Sequence, residues 1–432
     1  MLHDPSHYTP MSVAQEITVS SRDKDILRSL AARKIEIGSL AVQAQTSRQW
    51  TALNDLAPER PMVWINEICW HEMNAHEELI LQCEGVWAQE QELNLRRELY
   101  QWQHLRGDMV VNPWIECPLA IHSTDFGIIE DTDIAKTDEA SDVVSRRFNV
   151  QIASVDDLEK IKMPKVTHDI QATAFRYQAF TEVFEGVLPI KKVGQTHIWF
   201  TPWDFLIRWM GVENAFMALY DNPDLVHAAV DRLVDAWMVE LDQFETQGLL
   251  SPDCNNTRVG SGGYGYVSSL AKQVSGDPVG ISPKHMWGCS NAQIFADVSP
   301  QMHWEFALEH EMRWLQRWGL NYYGCCEQLH SKVDILKRIP RLRKVSVSPW
   351  CDFGKLSEAF GDTLVYSVKP SPAIFAEESW QPERARHAIR EILDMAQGKL
   401  AIEFIMKDIS TVRHDPKRLW EWSQIVMEEV VG

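Results

Sequence analysis

Several things are scarce or missing in this chain. No uninterrupted apolar stretch approaches the ~18–20 residues that a membrane helix needs, so no spanning segment is expected. The opening residues, MLHDPSHYTPMSV, have neither a basic stretch nor an apolar core. No secretory signal is expected there, and the expected location is cytoplasmic. Cysteine is sparse, with 8 in 432 residues. Without a secretory leader these thiols read as reduced side chains or metal ligands rather than a disulfide frame. Positive charge is in deficit: Lys+Arg 42 against Asp+Glu 61 leaves −19. That argues against nucleic acid or an anionic membrane as the main partner. A dinucleotide fingerprint is absent as well. GSGGYGYV (260–267) has the glycines but lacks a strand before and a helix after, so it reads as a flexible loop, a candidate lid.

What remains is an ordinary globular balance, 45% hydrophobic and 24% charged, with an unusual 18 tryptophans. Residues 1–60 are rich in helix formers and read as a helical extension, with 61–432 as one catalytic domain. A first strand is expected at 61–69, a long helix over 74–105 and a second strand over 108–117. An insertion follows at 122–160, with a β stretch at 147–152. Asn222 before Pro223 marks a helix start. Leu225, Val226, Ala229, Val230, Leu233, Trp237, Leu241 and Phe244 then recur at helical spacing up to Gly248. Ser299-Pro300 opens another helix, expected to run to Gly319. From there strands at 320–326, 344–351, 363–370 and 400–408 alternate with helices at 330–339, 353–361, 382–398 and 415–430. Strand–helix alternation implies a parallel sheet, and its sustained length favours a closed (β/α)8 TIM barrel over an open sheet.

In such a barrel chemistry sits at the C-terminal ends of the strands. Cys325-Cys326-Glu327 with His330 supplies thiolate, carboxylate and imidazole, the donors zinc takes. Adjacent cysteines on a strand face opposite ways, so only one of the pair is expected at the mouth. Cys351 and Glu403 close the next and the last strand and complete the candidate metal set. The alternative is a structural cysteine pair with His330 capping the next helix. Glu67, a carboxylate within an apolar strand, must face a polar mouth or find a partner. His71 and Glu72 lack the second histidine of a zinc-protease motif, position 75 being alanine. Asp125 follows Ser-Thr and is either catalytic or plain turn chemistry. Lys407-Asp408 is a surface pair or a mouth pair.

Six stretches in order resemble the uroporphyrinogen decarboxylase superfamily, over about 45–430: RQWTALNDLAPERPMVW (48–64), HSTDFGI (122–128), the run from WFTPWDFL to VDAW (199–237), CSNAQIFADVSPQMHWEF (289–306), YGCCEQL (323–329) and SVKPSPAIF (367–375). The superfamily includes zinc-dependent, corrinoid-linked methyltransferases. The resemblance implies a TIM barrel, places Asp125 where the family's catalytic Asp loop falls, and makes homodimers a common assembly; Glu67 and His71, the latter equally readable as a helix-start residue, join Asp125 as the candidate catalytic residues. The heme-pathway decarboxylase carries arginines on its first strand to grip a polycarboxylate. Here that place reads WINEICWHEM, with Glu67 and no arginine, which is electrostatically wrong for that substrate. In the methyltransferase branch a His-x-Cys and a late Cys hold zinc. Here Tyr323 replaces the His and Glu403 the late Cys, leaving Cys325, Cys326, Glu327, His330, Cys351 and Glu403 as the implied ligands. Such a zinc would act as a Lewis acid on an ether or amine. The implied activity is methyl transfer from a small O- or N-methylated compound to the cobalt of a corrinoid on a separate protein. The alternative is a metal-independent decarboxylase or lyase. Trp64, Trp70, His122, Trp203 and Trp350 are the expected substrate-binding residues, on the idea of a tryptophan-rich mouth.

Overall fold

The computed structural model describes residues 16–135, 145–270 and 280–432. Within them lie twelve strands: β1 (Met62–Ile65), β2 (Ile115–Pro118), β3 (Ile121–Ser123), β4 (Thr132–Ala135), β5 (Ser145–Phe148), β6 (Val166–His168), β7 (Ile190–Val193), β8 (Trp287–Ser290), β9 (Leu320–Tyr323), β10 (Leu342–Val347), β11 (Val365–Val368) and β12 (Ala401–Met406). Six form one parallel sheet in the order β1-β12-β11-β10-β9-β8. The register places Met62 beside Glu403, Glu403 beside Ser367 and Ser367 beside Ser346. β2 and β7 form a separate parallel pair.

The expectation of a closed (β/α)8 ladder goes further than this. The hydrogen-bonded ladder stops at β1 and at β8, and a buried aspartate takes over at each edge. Asp108 accepts from the Val63 N–H at 2.8 Å and returns its own N–H to the Val63 carbonyl at 2.8 Å. The Asp253 carboxylate accepts from the Trp287 N–H at 3.0 Å. The expected strand over 108–117 is correspondingly cut to β2, because its first half turns through Pro113 and feeds side chains, not a ladder, to the sheet edge. The insertion holds two antiparallel pairs, β3 with β6 and β4 with β5. Its residues 136–144 lie outside the described ones.

The helices follow local sequence chemistry. The helix Pro223–Thr246 begins where Asn222 accepts from the Leu225 N–H and Pro223 occupies the first turn. It buries the apolar face that its periodicity marks. The helix expected over 74–105 is shorter, Val86–His104. Gly85 precedes it, and Glu92 on its second turn reaches back to the Gln82 and Cys83 N–H groups, which fixes residues before it as a loop. The helix opened by Pro300 is interrupted at Trp304–Leu308 by a π segment and ends at Leu315. In the N-terminal extension, helices span Ser21–Gly38 and Ala41–Asn54. The second carries Trp50, wholly buried against Tyr264 (ring centroids 5.2 Å apart) with its indole N–H on the Asp108 carbonyl. The extension thus supplies a wall of the sheet's packing. No helix among the described residues is long and apolar enough to cross a membrane.

Candidate active site

Strand alternation decides which side chains share the inner face of the six-stranded sheet. On β12 these are Glu403, Ile405 and, just past the strand, Lys407. On β11 they are Val365, Ser367 and Lys369, and on β10 Lys344, Ser346 and Ser348. On β1, Trp64 and then Asn66 follow the same rule. On β8, Ser290 points outward to Glu311 at 2.8 Å, so Asn291 turns inward. Two polar layers result.

The lower layer is closed. Lys344 and Glu403, both fully buried, pair at 2.9 Å. Glu403 also accepts from Ser367 Oγ and from the Gly263 N–H at 2.9 Å, while Lys344 donates to the Tyr264 carbonyl at 3.1 Å. The glycine loop 260–267 therefore packs inside the sheet instead of forming a lid. Its glycines are required by contact: a Cβ on Gly260 (φ +55°) would fall 2.3 Å from the Tyr322 ring, and one on Gly262 2.5 Å from Glu403 Oε1. Glu403, expected as a metal ligand, is held instead by Lys344, Ser367 and the Gly263 N–H.

The upper layer forms the C-terminal rim. Glu67 bonds Arg258 at 2.6 Å and Lys407 at 3.2 Å, and Lys407 pairs with Asp408 at 2.5 Å. Burial would raise the Glu67 pKa, yet Arg258, Lys407 and a hydrogen bond from the Asp408 side chain hold it well below the usual carboxylate range. Glu67 and Asp408 both have positive φ (49° and 55°), so the two adjacent strand ends turn sharply where their carboxylates meet the cations. Lys369, 5% exposed, has no carboxylate partner. Its ammonium meets Ser261 Oγ at 2.6 Å, Ser346 Oγ, the Cys325 carbonyl at 3.0 Å and Tyr322 Oη at 3.4 Å. Cys325 lies among these groups, and the Cys326 sulfur is 3.7 Å from its own. Hydrogen bonding from Cys326 is the main influence on its thiol. Against the burial penalty, and with help from Lys407 and Lys369, it brings the pKa down to about 7. Burial drives the thiols of Cys69 and Cys83 the other way, up to about 12, and that of Cys117 to about 11.

The expected zinc set does not assemble. Glu327 is fully buried and folds back to accept the Cys325 N–H at 2.6 Å and the Ala292 N–H at 2.8 Å, so it shapes the loop and is not free to ligate. His330 Nδ1 accepts the Asp352 N–H at 3.1 Å, and Cys351 packs against the apolar core with its thiol raised to about 11 by burial. Among the described residues no three His, Cys, Asp or Glu side chains lie together as a metal would require.

The other expected residues scatter. His71 sits beside Glu72, whose carboxylate anchors Thr411, Val412 and His414. Asp125 is exposed in the turn after β3, at φ 52°. His122 lies on β3 with a buried, unpartnered Nδ1. Trp64 packs against Tyr264 inside the sheet, its ring tilted 47° to the tyrosine with 4.8 Å between centroids. Trp70 packs on Tyr100 and Arg97. Trp203 is core, its indole on the Phe306 carbonyl, and Trp350 is 65% exposed. These tryptophans line no common mouth, because strand-end position alone does not set burial. Residues not singled out from sequence are Lys369, Arg258, Asn66 and Asn291. The signal for Lys369 was available: V-S-K at 365, 367 and 369 matches E-I-K at 403, 405 and 407.

No protein-family model matches the chain, and no curated protein matches it in sequence. In three dimensions it is similar to a methyltransferase from Methanosarcina mazei, with 11% identity, 89% of this chain and 98% of that one covered, and a TM-score of 0.49. A likeness of that depth speaks neither to substrate nor to reaction.

Proposed function

We propose that the chain is an enzyme that takes a methyl group from a small O- or N-methylated compound, with the rim of β1, β9, β11 and β12 as its reactive centre. The observation that carries this reading is Lys369, buried beside Cys325 with no carboxylate to answer its charge. When a methyl group leaves an ether, negative charge grows on the oxygen, and a fixed cation in a dry site stabilises it. As the C–O bond breaks, the Cys325 thiol gives its proton to that oxygen, and the resulting thiolate rests between Lys369 and Lys407. The acceptor we propose is the cobalt of a corrinoid on a separate protein, in line with the sequence resemblance. Among the described residues no three potential ligands lie together for the zinc that the resemblance implies, so no step is assigned to it.

The lyase alternative, with Asp125 and Glu67 as acid–base residues, is weaker because Glu67 is ion-paired twice and held ionised while Asp125 lies exposed in the turn after β3.

The test is to incubate the full chain with a panel of O- and N-methylated compounds and reduced corrinoid, and to follow demethylated product by mass spectrometry. Lys369→Met and Cys325→Ala are each expected to slow product formation about 100-fold. No product from any compound, or full activity in Lys369→Met, sinks the reading. Plasma mass spectrometry of the same preparations is expected to find no stoichiometric zinc that either Cys325→Ala or Cys326→Ala removes.

A further inference from the structure

Apart from the rim, two imidazoles face each other nitrogen to nitrogen. His227 comes from the second turn of the helix Pro223–Thr246, and His310 from the helix Glu309–Leu315. His227 Nδ1 and His310 Nε2 are 3.0 Å apart. The far nitrogen of each ring faces a carboxylate. Asp231 Oδ1 lies 2.7 Å from His310 Nδ1, and Glu305 Oε1 lies 3.8 Å from His227 Nε2. The His227 ring is stacked on Phe306, with 4.8 Å between centroids.

The π segment builds this arrangement. Glu305 and His310 are five residues apart, and on an unbroken α-helix they would lie about 140° apart around the axis. The segment Trp304–Leu308 closes i→i+5 turns, which bring such a pair toward one face. Glu305, Phe306 and His310 thus meet one turn of the long helix, where His227 and Asp231 are themselves neighbours four residues apart.

The carboxylates decide which nitrogens carry hydrogen. An ionised carboxylate only accepts, so Asp231 keeps the His310 hydrogen on Nδ1 and leaves the Nε2 lone pair toward His227. With its own hydrogen on Nε2, toward Glu305, His227 presents a second lone pair from Nδ1. Imidazoles backed by a carboxylate at the far nitrogen are the common form of a metal-bound histidine. A zinc ion 2.0–2.1 Å from each nitrogen, at a tetrahedral angle, holds the two about 3.3 Å apart, so the rings need part by only a few tenths of an ångström. Among the described residues no third ligand side chain joins them. Water takes the ion's other positions, and the His227 side chain, 34% exposed, leaves it access. The local charge has the right sign as well. Asp231, Asp235 and Glu305 are met by one guanidinium, that of Arg313, which bonds Asp235 at 2.7 Å and Asp231 at 3.3 Å. A divalent cation balances what is left.

We infer that His227 and His310 bind one divalent transition ion of the zinc, nickel or copper kind, which bridges the long helix to the broken one. Imidazole nitrogen suits these ions, whereas magnesium and calcium prefer oxygen. The site shares no residue with the rim and takes no part in the methyl transfer proposed there.

Equilibrium dialysis of the full chain against zinc chloride, with magnesium chloride as the control, counts the ions bound per chain. His227→Gln and His310→Gln are each expected to bind one zinc fewer than the unaltered chain. The double variant should also bind one fewer, because the two residues share the ion. Cys325→Ala and Cys326→Ala should keep it. Asp231→Asn, which leaves both ligands in place, should weaken it about 10–100-fold. Saturating zinc is expected to raise the Tm of the unaltered chain by about 2 °C more than that of His310→Gln. Undiminished zinc binding in either histidine variant, a larger loss in the double variant than in the single ones, or equal binding of magnesium overturns the inference. So does the absence of bound zinc at millimolar concentration, which would leave the pair a plain N–H···N hydrogen bond.

Discussion

Lys344 and Lys369 point to the same side of one sheet, from neighbouring strands, one layer apart. Both are buried. Burial pushes the Lys344 pKa down, and Glu403 at 2.9 Å works against that. Around this pair the lower layer is matched: Ser367, the Gly263 N–H and the Tyr264 carbonyl meet the charges from either side. Lys369 has hydroxyls and a carbonyl but no carboxylate, and its layer also holds the unbonded amide of Asn66. A buried cation without a counter-charge is a standing cost, so its persistence in the upper layer points to a role outside folding. The lower layer holds the sheet and the glycine loop together, and the upper one leaves charge and donors open to a ligand.

The largest effect expected from breaking this contrast is in the lower layer. Glu403→Ala strands Lys344 in a closed interior and should destabilise the chain by about 3–5 kcal/mol. Urea unfolding reads this as a lower midpoint at an unchanged slope. The double variant Lys344→Met/Glu403→Leu, which removes both charges, should recover most of the loss. A cost below about 1 kcal/mol for Glu403→Ala would mean that the pair is not fixed as described, and the contrast between the layers would fall with it.

The converse holds for the upper layer. Lys369→Met strands no carboxylate, so its stability change should stay within about 1 kcal/mol even though Ser261 and Ser346 lose a partner. Its activity should nevertheless fall about 100-fold. A stability loss as large as that of Glu403→Ala would make Lys369 a structural lysine like Lys344.

How much of this was legible in the sequence differs by element. The helix Pro223–Thr246 could be read whole, because its cap, its proline and its periodicity are all local. So could the parallel strand–helix run in the second half, and the inward alternation that carries Lys407. That the ladder stops at β1 and at β8 was not legible, since Asp108 and Asp253 meet these edges with side-chain bonds that no pattern announces. Neither was the fate of the acidic residues. Glu403 finds Lys344 59 positions away, and Glu327 turns back on its own loop. A metal ligand and a backbone cap are the same residue type at the same strand end, and only the side-chain direction separates them. The glycine loop read as mobile because glycine permits motion. Here it permits close approach to Tyr322 and Glu403 instead.

The smallest effect concerns two asparagines and separates the layers most sharply. Asn54, fully buried beneath the sheet, donates to the Tyr264 carbonyl at 2.9 Å and the Tyr266 carbonyl at 2.5 Å. Asn54→Leu takes the side-chain donor from the Tyr266 carbonyl and one of two donors from the Tyr264 carbonyl, which keeps Lys344, and should lose roughly 1–2 kcal/mol. The Asn66 side chain has no hydrogen-bond partner, so Asn66→Leu replaces an unsatisfied amide by a side chain of similar size. It should gain up to about 1 kcal/mol. Opposite signs for the same substitution, measured by urea unfolding on one protein, would mean that Asn66 is retained for what it binds. If both variants were destabilised alike, Asn66 would belong to the packing, and the open donors at the rim would have a structural cause.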